Sequence, residues 1–212
     1  MTGEPHPFTA VGPVVPVVVL DDAAQAVPLA RALAAGGVRV MEVTLRTPAG
    51  IAAIERVAAE VPEVLVGAGS VRTPQELDAV CAVGASFVVL PGAPPRLLDA
   101  ALDTGVPVVP GASTVTEMMT LAERGIALMK FFPAEACGGA RFLSAVAGPL
   151  PGLRFCPTGG VTAASAPSYL SLPNVACVGG SWLTAPHLLA TGDWAKVTDL
   201  ATAAAALAPT AT

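Results

Sequence analysis

Val38-Arg39-Val40-Met41-Glu42-Val43-Thr44-Leu45 is followed, after a short gap, by Gly50-Ile51-Ala52-Ala53-Ile54-Glu55-Arg56-Val57-Ala58-Ala59-Glu60. The first run is rich in β-branched residues and reads as a strand; the second has apolar residues at helical spacing and reads as an outer helix packed on it. The unit recurs along the chain. Val-rich runs cover residues 13–19, 38–45, 64–70, 87–92, 107–113, 128–133, 154–160 and 175–182, and their first residues lie 20 to 26 positions apart. That spacing leaves room after each strand for a loop and a short helix, the arithmetic of a repeated βα unit. Near-continuous apolar strands require burial on both faces, as in a parallel sheet covered by helices.

Helix signals fill the gaps. Asp21 or Asp22 can cap a segment running to Ala35, which Gly36-Gly37 stops. Thr47 precedes Pro48 at a first helical position, and Thr73-Pro74-Gln75-Glu76 and Thr114-Val115-Thr116-Glu117 match the capping box. The segment from Asp193 to Leu207 reads as a further outer helix. An open doubly wound sheet is the alternative, but no G-x-G-x-x-G follows the first strand, and the unit count favours closure. The expected fold is therefore α/β, a single (β/α)8 TIM barrel spanning residues 1–212 with no linker between domains.

Composition narrows the class. The 212 residues are 53% hydrophobic with a mean hydropathy of +0.67, yet the apolar runs are broken by Gly and Pro. They fall well short of the roughly 18 residues needed to span a bilayer, so no membrane association is expected. A net charge of −5 and a pI near 4.9 argue against nucleic acid and anionic membrane as partners. Cys81, Cys137, Cys156 and Cys177 are widely spaced with no C-x-x-C, which reads as free thiols rather than a disulfide framework or zinc module. The first ten residues contain Glu4 and two prolines, with no basic stretch ahead of an apolar one, so the expectation is a cytoplasmic protein.

Against this background one lysine stands out. The chain has nine arginines and two lysines; Lys196, in the last helix, reads as a solvated surface charge. Lys130 sits in Leu128-Met129-Lys130-Phe131-Phe132-Pro133, among apolar neighbours, where an ammonium is costly to bury without a purpose. A structural salt bridge is one reading and an amine nucleophile forming a Schiff base the other. In the second strand, alternation puts Val40, Glu42, Thr44 and Arg46 on one face and Met41, Val43 and Leu45 on the other. With the apolar face against the helices, Glu42 and Arg46 point into the lumen near its C-terminal mouth, where barrel active sites lie. Gly159-Gly160 after the seventh strand and Gly179-Gly180-Ser181 after the eighth stand where barrels commonly cradle a phosphate on backbone N–H groups.

Taken in order, these segments resemble the 2-dehydro-3-deoxy-6-phosphogluconate (KDPG) aldolases, which often act on 4-hydroxy-2-oxoglutarate (KHG) as well. The resemblance runs from Gly12-Pro13-Val14-Val15-Pro16 through Glu42-Val43-Thr44-Leu45-Arg46-Thr47, Val66-Gly67-Ala68-Gly69 and Lys130-Phe131-Phe132-Pro133-Ala134-Glu135 to Phe155-Cys156-Pro157-Thr158-Gly159-Gly160 and Gly179-Gly180-Ser181-Trp182. It implies Lys130 as the Schiff-base lysine, Glu42 as acid/base, and Arg46 as the grip on the keto acid's carboxylate. Ser70, Pro91, Phe132 and Thr158 would contact substrate, with Gly159, Gly160, Gly180 and Ser181 at the phosphate end. It also implies a homotrimer, no metal or other cofactor, and pyruvate with a phosphorylated aldehyde as the small-molecule partners. Three positions depart from the family pattern: Ser70 replaces a usual Thr, Leu90 stands where a small polar residue is frequent, and Cys137 where Asn is common.

Rival chemistries remain to be separated. A metal-dependent aldolase lacks ligands, since the only histidines are His6 in the N-terminal arm and His187 beyond the last strand. A phosphate-handling isomerase or decarboxylase would use the Gly turns but make Lys130 an electrostatic group, and a non-catalytic sugar-phosphate binder would need no nucleophile.

Overall fold

Val, Leu, Met and Phe along the strands need apolar partners, and the chain satisfies them by closing its strands into a ring sheathed by helices. The computed structural model describes residues 12–207, so His6 and the N-terminal stretch read above lie outside the described residues. The strands are β1 (Val14–Val18), β2 (Val40–Thr44), β3 (Leu65–Gly69), β4 (Val88–Val89), β5 in two pieces (Val108–Val109 and Gly111–Ala112), β6 (Leu128–Phe131), β7 (Arg154–Pro157) and β8 (Val178–Gly180). All pairings are parallel. One ladder runs β5-β4-β3-β2-β1-β8, and a second runs from the later piece of β5 through β6 to β7. The bridges Phe155↔Val175 and Thr158↔Gly179 join β7 to β8 and complete the circuit.

β5 is split because Pro110 has no N–H to donate; its carbonyl still accepts from Lys130 N at 2.8 Å. The other strands fall within the expected runs but are shorter. Trp182, expected at the end of β8, instead starts a 3₁₀ turn (Trp182–Thr184). Ser70, expected as the last residue of its strand, has turned to φ +57°.

The helices are α1 (Ala26–Ala35), α2 (Gly50–Glu60), α3 (Pro74–Ala82), α4 (Pro95–Asp103), α5 (Val115–Glu123), α6 (Gly139–Ala147), α7 (Ala166–Leu170), α8 (Pro186–Thr191) and α9 (Trp194–Ala205). Thr114 and Glu117 form the reciprocal capping box. The Thr73 segment makes half of one: Thr73 accepts from Glu76 N, but the Glu76 carboxylate turns to the backbone N and guanidinium of Arg72. Pro48 is not at a first helical position, since α2 begins at Gly50, and the Thr47 hydroxyl donates to the Leu20 carbonyl instead. Asp22 caps a 3₁₀ turn (Ala23–Gln25) that leads into α1. Among the described residues no helix is long and apolar enough to cross a membrane.

The apolar core occupies the layer between strands and helices, with Leu29, Leu33, Met41, Ile54 and Phe131 fully buried there. α1 and α9 are drawn together at Gly36, where a Cβ would lie 2.5 Å from Ala201 Cβ and 2.6 Å from the Thr198 carbonyl oxygen. Gly36→Ala should therefore overpack the contact between the first and last helices and lose about 1–3 kcal/mol of stability. The expected result is a lower denaturant midpoint at unchanged slope; an unshifted midpoint would show that the two helices separate without penalty.

Candidate active site

β2 and β6 lie four strands apart in a ring of eight, so side chains that alternation aims inward from them meet across the lumen. Lys130 Nζ donates to Glu42 Oε1 at 2.9 Å, with the two side chains 3% and 1% exposed. The ammonium also sits 5.4 Å from the centre of the Phe132 ring, within cation–π range. Phe132 is steadied through its carbonyl, which accepts from Ser113 Oγ at 2.8 Å. Room for the carboxylate comes from β3, where a Cβ on Gly69 would lie 2.1 Å from Glu42 Oε1. Beside Lys130 in the ladder is Cys156. A hydrogen bond to Cys156, followed by burial, holds the Cys177 thiol well above its ordinary range, so it adds no charge next to the pair.

Arg46 is not inside the barrel. It lies two residues beyond the end of β2, exposed, with Nε donating to Ser70 Oγ at 3.3 Å. The lumen-facing expectation fails for Arg46 because strand alternation stops at Thr44, whose hydroxyl turns inward to the Val18 carbonyl. Arg46 and Ser70 thus form a polar pair on the rim above β2 and β3, and Arg46 borders a cleft of about 340 Å³ shared with Thr47, Ile51 and Glu76.

Opposite this rim, Gly159 and Gly160 follow β7 at φ +99° and +82°, conformations open to glycine but strained for other residues. The Ala134 and Glu135 N–H groups donate to the Thr158 and Gly159 carbonyls, tying this loop to the segment after β6. Thr158 is buried against β8, and a Cβ on Gly179 would lie 2.2 Å from Thr158 Oγ1. Gly180 is buried beneath the Trp182 ring, and Ser181 is exposed just past the end of β8. Pro91, after β4, packs its carbonyl against Gly111. Leu90 is fully buried in the apolar core, and Cys137 is part-exposed in the turn Glu135–Cys137.

The structure thus joins Lys130, Glu42 and Phe132 directly and places Arg46 with Ser70 and Thr158 with Gly179. The remaining expected residues are spread along the C-terminal ends of the same strands. Gly69, Ser113 and Tyr169 went unassigned from sequence. Gly67 and Gly69, two apart on one face of a strand, mark a place where another side chain needs room, a signal legible before the structure. Ser113 and Tyr169 carry no such mark.

A groove of about 470 Å³ outside the barrel, between the start of α4 and α5, touches neither Lys130 nor Glu42. Its charged groups are already engaged, Arg124 with Asp99 and Glu117 in the cap of α5, so it offers no reacting centre. Among the described residues no group of three or more His, Cys, Asp or Glu side chains is placed to hold a metal ion. The arrangement supplies a buried amine against a carboxylate, with a polar rim on one side and a glycine loop on the other.

Known proteins share this arrangement of chain. The family described as KDPG and KHG aldolase matches residues 8–200. The 2-dehydro-3-deoxy-phosphogluconate aldolase of Pseudoalteromonas atlantica is 49% identical over 92% of this chain and 91% of its own. The KHG/KDPG aldolase of Escherichia coli K12 is 51% identical over 90% of this chain and 89% of its own. A crystal structure of KDPG aldolase from Legionella pneumophila, with pyruvate captured at low pH as a covalent carbinolamine intermediate, superposes with a TM-score of 0.93 at 42% identity, covering 97% of this chain and all of that one. The chain belongs to the KDPG and KHG aldolase family.

Proposed function

We propose that this chain cleaves 2-dehydro-3-deoxy-6-phosphogluconate to pyruvate and D-glyceraldehyde 3-phosphate through an imine on Lys130, and that it also acts on 4-hydroxy-2-oxoglutarate. The buried 2.9 Å contact between Lys130 and Glu42 is the observation that carries this reading. Relatives named for one or both activities support it, as does the carbinolamine captured in the Legionella pneumophila protein.

The chemistry follows from the groups present. Along the Lys130–Glu42 hydrogen bond a proton passes to the carboxylate and leaves a neutral amine, which attacks the C2 carbonyl of the keto acid to form a carbinolamine. Glu42 then protonates the departing hydroxyl, water leaves, and an iminium remains. The C4 hydroxyl gives its proton to Glu42 as the C3–C4 bond breaks; that electron pair moves into the iminium, giving the enamine of pyruvate and free aldehyde. Protonation at C3 and hydrolysis return pyruvate and the lysine.

Arg46, with Ser70 beside it, offers a planar pair of donors to the substrate carboxylate. Phe132, Pro91 and Thr158 bound the pocket, and Gly159, Gly160, Gly180 and Ser181 receive the phosphate on backbone N–H groups and one hydroxyl. In this reading residues 1–212 form one domain and the working unit is a homotrimer. Leu102, Val115 and Met119, exposed on α4 and α5, provide apolar surface for its contacts. Cysteines free of disulfides fit a cytoplasmic setting.

Borohydride added with pyruvate should fix one reduced pyruvate on the peptide holding Lys130 and none on Lys196, since only an imine reduces to a stable secondary amine. Labelling that survives Lys130→Arg would sink the assignment. Glu42→Gln keeps the side chain's shape and loses the proton relay, so kcat should drop by roughly two to four orders of magnitude. Near-normal turnover in steady-state assays would reduce Glu42 to a structural partner of Lys130. Ser181→Ala removes one donor to the phosphate, with an expected loss of about ten- to a hundredfold in kcat/KM on the phosphorylated substrate and little on 4-hydroxy-2-oxoglutarate. Equal losses on both would withdraw the phosphate assignment.

A further inference from the structure

The loop assigned above to the phosphate rests on a side chain that the cleavage chemistry does not use. Glu135 N donates to the Gly159 carbonyl at 3.1 Å. Its stem lies directly against the next residue: a Cβ on Gly160 would fall 2.6 Å from Glu135 Cγ and 2.8 Å from its Cβ. The carboxylate is tied down in turn, because Tyr169 OH donates to Glu135 Oε1 at 2.5 Å. Tyr169 is the only tyrosine in the chain, lies on α7 and is 1% exposed. The clamp closes at Gly139, where a Cβ would lie 3.1 Å from the Tyr169 hydroxyl and 3.5 Å from Glu135 Oε2. Burial, with the neighbouring carboxylate, keeps the Tyr169 phenol above its ordinary range, so it remains a donor through neutral and mildly alkaline pH.

Electrostatics gives this contact a direction. A free carboxylate beside Gly159–Gly160 would repel a phosphate dianion, whereas one held by a buried phenol cannot swing toward it. We propose that Glu135, held by Tyr169, is a positioning residue for the Gly159–Gly160 loop and so sets this enzyme's preference for phosphorylated over unphosphorylated substrate. It does so by filling the space beneath Gly160, fixing the Gly159 carbonyl, and keeping its own charge turned away. The inference rests on the phosphate-end reading given above.

The test is steady-state kinetics of the full chain on 2-dehydro-3-deoxy-6-phosphogluconate and on 4-hydroxy-2-oxoglutarate. Glu135→Ala empties the space under the loop and should raise KM for the phosphorylated substrate about tenfold, with kcat within about threefold and a much smaller change in KM for the other. Glu135→Gln keeps the stem and the acceptor for Tyr169 and should stay within about threefold of the parent on both. Tyr169→Phe keeps the ring, frees the carboxylate, and should raise KM for the phosphorylated substrate about three- to tenfold. Equal losses on both substrates would mean that the contact only supports the fold, and a collapse of kcat in Glu135→Gln would make Glu135 an acid–base group; either overturns the proposal. Ser181→Ala, assayed alongside, separates the two readings. If it discriminates between the substrates and the Glu135 and Tyr169 variants do not, this inference falls and the phosphate end stands; if none discriminates, both fall.

Discussion

The site depends on one contact, the hydrogen-bonded ion pair between Lys130 and Glu42 across the barrel lumen. Removing either charge from water costs several kcal/mol, and a buried pair seldom repays that better than two apolar side chains of the same size. Stability therefore gives no reason to keep it. Reactivity does, since an amine beside a carboxylate in a water-poor lumen has its proton acceptor already in hydrogen-bond reach. The barrel makes the pair possible: only a closed ring brings β2 and β6 face to face, and barrels of this kind place their active sites at the C-terminal end of the ring.

Space inside the ring is the second constraint. An eight-stranded barrel is filled by its own side chains, so each large inward group needs a small neighbour. Gly69 makes room for the Glu42 carboxylate, Gly67 for the Phe87 ring and Gly179 for Thr158. Gly67 and Gly69 lie on β3, beside the strand that carries Glu42. A methyl at Gly69 would displace the carboxylate to which the proposed mechanism gives the proton relay, so this glycine belongs to the candidate site.

Much of this was legible from residue types and spacing. Val-rich runs at near-constant intervals marked the strands, and a lysine set among Leu, Met and Phe marked the buried ammonium at the centre of the candidate site, because burial of an ammonium is a strong physical statement in any context. Alternation placed Glu42 correctly and Arg46 wrongly. The same rule served both, and it failed where the strand ended, since nothing in Thr44-Leu45-Arg46 shows that pairing stops at Thr44. Pro110 could be foreseen as a break in β5, having no N–H, but not that its carbonyl would still serve Lys130 N. The Thr73 segment looked like a full capping box, and the competing pull of Arg72 on Glu76 took half of it away. The Glu135–Tyr169 contact joins residues 34 positions apart and could not be read from either neighbourhood alone.

The two ends of the proposed site are built from different materials, and this bears on how one enzyme would serve both proposed substrates. In the proposed reading the carboxylate end uses side chains, Arg46 and Ser70, on a solvent-exposed rim, and meets the same C1 carboxylate in both keto acids. The proposed phosphate end uses backbone held in left-handed glycine conformations and braced from β6, β8 and α7. A braced backbone cradle is preorganised for a single anion shape and adjusts little when that anion is missing. In that reading a keto acid lacking phosphate still reaches Lys130 through the carboxylate end, while one carrying phosphate gains binding at the rigid end. Because that gain is remote from the C3–C4 bond, it acts by fixing where the substrate lies over Lys130, and the bond broken is the same in both.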